Sequence, residues 1–120
     1  SRINGQYQLI FDKMRALIEL ADLQYIMGHY MEVNKTKEEI TALYDLGIVK
    51  GHDLLYIKSH LILLEAKMED VVSEGSDNVL VSLDKVIDIF TTLHPRDTLL
   101  LPVLPRYFRY FVPKLRYSDN

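Results

Sequence analysis

The side chains with the widest chemical range in this sequence are its four histidines, His29, His52, His60 and His94. Two of them share a predicted helix with a carboxylate, His29 with Glu32 and His60 with Glu65, and those helices could meet across a bundle. A zinc peptidase needs two histidines at helical spacing around a glutamate, and a di-metal bundle site needs paired Glu-x-x-His units. Neither helix provides such a pattern, so the sequence predicts no metal site.

Carboxylates and serines are numerous, but their spacing does not indicate catalysis. Glu65, Glu69 and Asp70 alternate with Lys67 on what should be a solvated helix face. General acid–base catalysis needs a carboxylate held in a pocket with a shifted pKa. The serines lie outside any nucleophile-elbow motif, and the chain has no cysteine, which excludes thiol chemistry. We therefore expect no enzymatic activity, no cofactor and no small-molecule substrate.

The most distinctive segment lies near the C-terminus, where aromatic and basic side chains interleave. Rings that stack on bases, beside cations that meet phosphates, are typical of nucleic-acid binding. The same pattern also suits a terminal amphipathic helix that packs on the bundle, a protein-binding surface or an anionic membrane. The residues that carry the pattern are Arg106, Tyr107, Phe108, Arg109, Tyr110 and Phe111, followed by Lys114, Arg116 and Tyr117.

The net charge of −3 conceals an asymmetry along the chain. Five basic and two acidic residues give the segment from Arg96 to Asn120 a charge of +3, so the preceding 95 residues carry −6. A basic tail on an acidic body either folds back onto that body or binds an acidic partner. The acidic body argues against general affinity for nucleic acid, which normally requires a large basic face.

A second possible nucleic-acid element is the helix–turn–helix outline between Glu39 and Leu61. Its second helix would begin with Asp53-Leu54-Leu55-Tyr56-Ile57, a run with few side chains that read bases. Two helices joined by a glycine-containing turn also occur in bundles without any nucleic-acid role. We interpret this element as part of the bundle.

Length and composition limit the class of protein. A chain of 120 residues with 48% hydrophobic and 26% charged residues suits one globular domain. No apolar run approaches the ~18–20 residues of a membrane span, and the N-terminus lacks the layout of a signal peptide. We expect a single helical domain over 1–120, with a core bundle over about 6–94 and the basic, aromatic segment over 95–120. The expected context is a larger, soluble intracellular protein of the cytoplasm or nucleus.

Apolar residues spaced by three and four predict the first two helices. The first should run from about Gln6 to Val33, with Gly28 marking a bend or an early end. The second should begin at Thr36, in a capping box with Glu39, and Gly47 should close it in a left-handed conformation.

The third helix should begin at Asp53 as N-cap and stop near Glu74, before Gly75. The fourth, from Val79 to Leu93, has the clearest helical period, and the proline that follows forces its end. All four prolines lie between 95 and 113, where one or two short helices are expected.

These elements predict an all-α fold, an antiparallel bundle of about four main helices with a proline-rich C-terminal segment. The first and third helices are apolar over a wider arc than a lone bundle can hide, and excess apolar surface usually meets a partner. We therefore expect a non-catalytic protein–protein interaction domain, of the scaffold, adaptor or complex-assembly kind, that binds another protein or a second copy of itself. The alternative is a nucleic-acid-binding module that uses the basic aromatic tail. Candidate contact residues are Leu9, Leu20, Leu23 and Ile26, then Leu55, Ile62 and Leu63, and Arg106 to Phe111.

Overall fold

The computed structural model describes residues 2–93, with side chains from residue 5 onward. Over this range the protein is all-helical, as predicted, and four helices follow one another: α1 (Arg2–Ile26), α2 (Tyr30–Asp45), α3 (Gly51–Val72) and α4 (Asp77–Leu93). The predicted C-terminal segment, residues 95–120 with its short helices, lies outside the described residues.

The first helix does not reach Val33: it ends at Ile26, and Gly28 marks the early end that the sequence analysis allowed. Gly28 has φ 77°, a left-handed conformation that favours glycine. Its N–H donates to the carbonyl of Tyr25 at 3.0 Å, and the N–H of His29 donates to the carbonyl of Gln24 at 2.9 Å. This pair of bonds is the Schellman arrangement that ends a helix. Gly28 therefore separates α1 from α2 and lets the two helices form a hairpin.

The predicted capping box at Thr36 and Glu39 is also wrong. Thr36 lies inside α2, only 4% exposed, and its hydroxyl donates to Oε1 of Gln24 on α1 at 2.7 Å. A threonine three residues before a glutamate resembles a cap in the sequence. Here the hydroxyl has a tertiary partner instead, so the threonine is tolerated in a helix interior.

The other helix ends lie close to their predicted positions. Gly47 has φ 71° just beyond the end of α2, as predicted. α3 starts at Gly51, so Asp53 lies in its first turn rather than at the N-cap, which is Lys50. α4 starts two residues early, and Oγ of Ser76 accepts a 3.4 Å hydrogen bond from the N–H of Val79.

Two hydrophobic cores share α3. In the first, α1, α2 and α3 pack together; in the second, α4 packs on the other side of α3. Ile57 and Leu64 of α3 belong to the first core, and Leu63 and Ala66 belong to the second. The remaining members of the first core are Met14, Ile18, Ala21, Val33, Ile40 and Val49, and those of the second are Val79, Leu83, Val86, Ile87 and Phe90.

Polar contacts hold α1 and α2 in register with α3. Nζ of Lys67 lies 3.1 Å from Oδ1 of Asp22 and sits over the ring of Tyr25, and Lys37 pairs more loosely with Glu65 at 3.7 Å. Lys67 is largely buried, with 14% of its side chain exposed, so its pairing with Asp22 is screened less than a surface pair would be.

The turn at Gly28 gives a matched pair of substitutions. Gly28→Ala should lower the free energy of unfolding by about 1 kcal/mol, because an L side chain is strained at positive φ. Gly5→Ala should stabilise slightly or be neutral, because alanine is favoured inside a helix. A Cβ added at either glycine meets no atom within 4 Å, so steric clash does not separate the two cases. Urea unfolding followed by circular dichroism measures both; equal effects would contradict the left-handed turn.

Candidate functional site

The most unusual surface of the described residues is a row of side chains along the outside of α1. We call it the α1 stripe, and its members are spaced by four and three residues in alternation, which places them on one helix face. Every member is exposed. The α1 stripe comprises Leu9, Lys13, Ala16, Leu20, Leu23 and Met27.

The α1 stripe lies opposite the face that α1 buries. Met14, Ile18 and Ala21 are at most 2% exposed in the core shared with α2 and α3. By contrast, Leu9 is 70% exposed and Leu23 is 58% exposed. α1 is therefore apolar on two opposite sides, and the described fold uses only one of them.

Large apolar side chains continue the α1 stripe around the tip of the α1–α2 hairpin. Ile26 is 78% exposed, Met27 64% and Met31 73%. The turn at Gly28 places Met31, in the first turn of α2, on the outside of the hairpin. A contiguous apolar surface of this kind is typical of a site where another molecule binds.

Two charged side chains accompany the apolar ones. Lys13 lies within the α1 stripe, and Glu19 lies at its edge; neither has an ion-pair partner among the described residues. Asp12 and Arg15, by contrast, pair with each other one turn apart. Hydrogen bonds from Arg15 and then Gln8 lower the pKa of the Asp12 carboxyl.

A second candidate is an open groove between α1 and α3, of about 390 Å³. Its walls are largely aromatic, since Phe11 and Tyr56 meet edge to face with ring centroids 6.3 Å apart. Arg15 covers the Phe11 ring at 4.8 Å, and burial raises the pKa of the Tyr56 hydroxyl. The lining residues are Phe11, Arg15, His52, Asp53, Tyr56 and Leu93.

Two charged groups of this groove, on Asp53 and Arg15, have partners just outside its lining. The Tyr7 hydroxyl donates to Oδ2 of Asp53 at 2.8 Å and accepts from the N–H of Lys50 at 3.3 Å. This contact fastens the start of α3 to α1. The guanidinium of Arg15 is paired with Asp12, and the carboxylate of Asp53 accepts from Tyr7. Both charged groups of the groove therefore serve as structural contacts.

His60 is the most deeply buried titratable ring described near the groove. It packs between Tyr56, at 4.6 Å between centroids, and Phe90, at 6.1 Å. Burial lowers the pKa of His60; Asp22 and Lys67 act on it in opposite directions. The ring therefore belongs to the contact between α3 and α4.

The structure separates the predicted contact residues into three groups. Leu20 and Leu23 are exposed, 44% and 58%, together with Leu9 and Ile26. The other predicted stripe is mostly covered: Leu63 is 2% exposed and belongs to the core, which corrects its assignment to a surface, whereas Ile62 and Leu55 are half-buried. Arg106, Tyr107, Phe108, Arg109, Tyr110 and Phe111 lie outside the described residues.

Two other sequence hypotheses can be compared with residues 2–93. α3, which a helix–turn–helix would use as its recognition helix, packs against α1 and α2 on one side and against α4 on the other. Within the same range, no three histidine or acidic side chains converge as metal ligands. No helix among the described residues combines the length and the hydropathy that crossing a membrane requires.

Comparison with models of protein families, with curated proteins and with solved structures finds no match to this chain. Its function must therefore be inferred from its own residues and their geometry.

The half-buried His60 predicts a pH dependence of stability. Because its pKa is lowered by folding, the unfolded chain binds a proton first as the pH falls through the ordinary value of about 6.5. The free energy of unfolding should therefore fall as the pH is lowered from 7 to below 6. His60→Gln should reduce this fall, and His52→Gln, at an exposed position, should retain it. Identical pH profiles for wild type and His60→Gln, from urea unfolding, would contradict the burial effect.

Proposed function

We propose that this chain is a non-catalytic protein–protein interaction domain and that it binds an α-helix of its partner through the α1 stripe. The observation that carries the proposal is the exposure of Leu9, Leu20, Leu23 and Met27 on one face of a helix whose opposite face already fills the core.

The spacing of the α1 stripe supports a helical partner. Alternating intervals of four and three residues are the heptad pattern of a coiled-coil seam, in which side chains of one helix fit between those of another. Ala16, at the middle of the row, permits close approach of a second backbone. An extended peptide would instead need an unpaired strand edge, and the described residues form none.

The groove between α1 and α3 supports the non-catalytic part of the proposal. Two of its charged side chains already have partners, Arg15 in Asp12 on the same helix and Asp53 in Tyr7, and the contact between Tyr7 and Asp53 joins α1 to α3.

Site-specific photocrosslinking tests the proposal. A benzoylphenylalanine at position 20, in the full protein inside its own cells, should give a discrete protein adduct, because that position faces the partner. The same residue at position 85, exposed on the outer face of α4, should give far less.

A second substitution on the same face sharpens this test. Leu23→Glu, which places a charge one turn from position 20, should remove most of the adduct without changing the helical content. Equal yields at positions 20 and 85, or an adduct that survives Leu23→Glu, would refute the assignment of the α1 stripe.

The alternative function is nucleic-acid binding through the basic aromatic tail, residues that lie outside the described range. It is favoured only by the alternation of basic and aromatic residues from Arg106 to Tyr117. The preceding 95 residues carry a charge of −6, which argues against general affinity for nucleic acid.

A salt titration distinguishes the two functions. If the proposed function is correct, the chain should bind a labelled single-stranded oligonucleotide weakly, and replacing Arg106, Arg109, Lys114 and Arg116 with alanine should change little. Affinity that falls by about a thousandfold between about 50 and 200 mM salt, and is lost in this variant, would favour the tail. Fluorescence anisotropy measures both.

A further inference from the structure

We propose that the groove between α1 and α3 binds the basic aromatic stretch of the same chain, Arg106 to Phe111. This inference concerns a different surface from the α1 stripe and goes beyond the proposed function. The stretch consists of four aromatic rings and two guanidinium groups and lies outside the described residues. The groove that receives it is lined by described residues of α1, α3 and α4.

The end of α4 brings the following part of the chain to the groove. Leu93, the last residue of α4, is one of the residues that line the groove. The twelve residues 94–105 connect Leu93 to Arg106, and a connection of that length spans about 40 Å at most. The stretch can therefore reach every part of the groove. Because the connection is short, its effective concentration there is on the order of millimolar, which a separate molecule would have to match.

The apolar walls of the groove suit an aromatic occupant. Phe11, Tyr56 and Leu93 are half-buried, so each keeps part of its surface exposed where it lines the groove. Aromatic rings pack well at edge-to-face angles, as Phe11 and Tyr56 already do. Rings from the stretch can add to this pair, and their insertion removes apolar surface from water on both sides of the contact.

Charge favours the same occupant. Asp53 lines the groove and has no ion-pair partner among the described residues. The Tyr7 hydroxyl donates to Oδ2 of Asp53, but a neutral donor leaves the negative charge in place. The guanidinium of Arg15 is already paired with Asp12. An arginine of the stretch therefore meets an uncompensated carboxylate, on a body whose charge of −6 attracts a segment of +3.

A spin label beside the stretch tests for docking in the full 120-residue chain. The chain has no cysteine, so the variant Lys114→Cys takes a nitroxide at a single site. The amide resonances of Phe11, His52 and Tyr56 should be broadened by paramagnetic relaxation, because these residues line the groove. The resonance of Val81, exposed on α4, should keep its width. A groove without broadening would overturn the inference.

Charge reversal in the labelled variant tests the arginines of the stretch. At least one of Arg106→Glu and Arg109→Glu should reduce the paramagnetic broadening at Tyr56 by about twofold or more, because it sets like charges against each other. Arg116→Glu makes the same change outside the stretch and should have a much smaller effect. If all three reversals act equally, the contact is a general attraction between tail and body, and the assignment to the groove is wrong.

A conservative change at Asp53 tests its pairing with the stretch. Asp53→Asn removes the charge and keeps an oxygen that can accept from Tyr7, so the contact between α1 and α3 should persist. It should also reduce the broadening at Tyr56. The effective arginine reversal should cost less in this background than in the parent chain, since the carboxylate that opposes it is gone. An equal cost in both backgrounds would overturn the pairing.

A mixed sample distinguishes docking within one chain from binding between copies. Isotope-enriched chain without the nitroxide, mixed with nitroxide-labelled chain of natural isotopic composition, should show no broadening at the groove. Broadening as strong as in the singly labelled chain would overturn the intrachain contact. Broadening at Leu20, Leu23 and Met27 in place of the groove would put the stretch on the α1 stripe, against this inference and against the proposed function together.

Discussion

The structure depends on the burial of α3 along two sides. Ile57 and Leu64 fill the core with α1 and α2, while Leu63 and Ala66 fill the core with α4. Ser59 is fully buried on the same helix and is accommodated because its hydroxyl donates to the carbonyl of Tyr56 at 2.6 Å. With α3 at the centre, α1 lies at one side of the described fold and α4 at the other. Each of these two helices therefore buries one face and presents the opposite face outward.

The outward faces of α1 and α4 differ in chemistry, although their positions are comparable. On α4 the outward row is Val81, Lys85, Asp88 and Thr92, with a single apolar member. This is the ordinary pattern of a helix whose outer side meets water. The corresponding row on α1 is the α1 stripe, with four large apolar side chains. Because the same fold tolerates a polar outer face on α4, the apolar face of α1 is not required by packing within residues 2–93. The proposed function assigns this face to binding.

The sequence predicted the elements better than the contacts between them. The predicted start of α4 is within two residues of the observed one, because its apolar and polar residues alternate with a clear helical period. Such a period can be read from neighbouring residues alone. The sequence left the end of α1 at Gly28 ambiguous. Apolar residues lie on several sides of α1, and their helical spacing continues beyond the glycine. Thr36 was misassigned because its partner, Gln24, lies on another helix.

Leu20 and Leu63 looked alike on a helical wheel, as members of a second apolar stripe. Only the tertiary arrangement shows that Leu63 packs in the core with α4, while Leu20 is 44% exposed and belongs to neither described core.

An exposed apolar row is a hazard as well as a binding surface, because it can associate with any other apolar face. The α1 stripe contains a feature that restrains such association. Lys13 interrupts the row, and a partner that covers it without supplying a carboxylate must desolvate an unpaired ammonium group, which costs free energy. Glu19, at the edge of the α1 stripe, in the same way requires a partner that supplies a cation. The charges thus penalise wrong partners more than they strengthen the right one, which is how a small surface obtains specificity from its electrostatics. A partner that satisfies both requirements must present an apolar row with one charge of each sign.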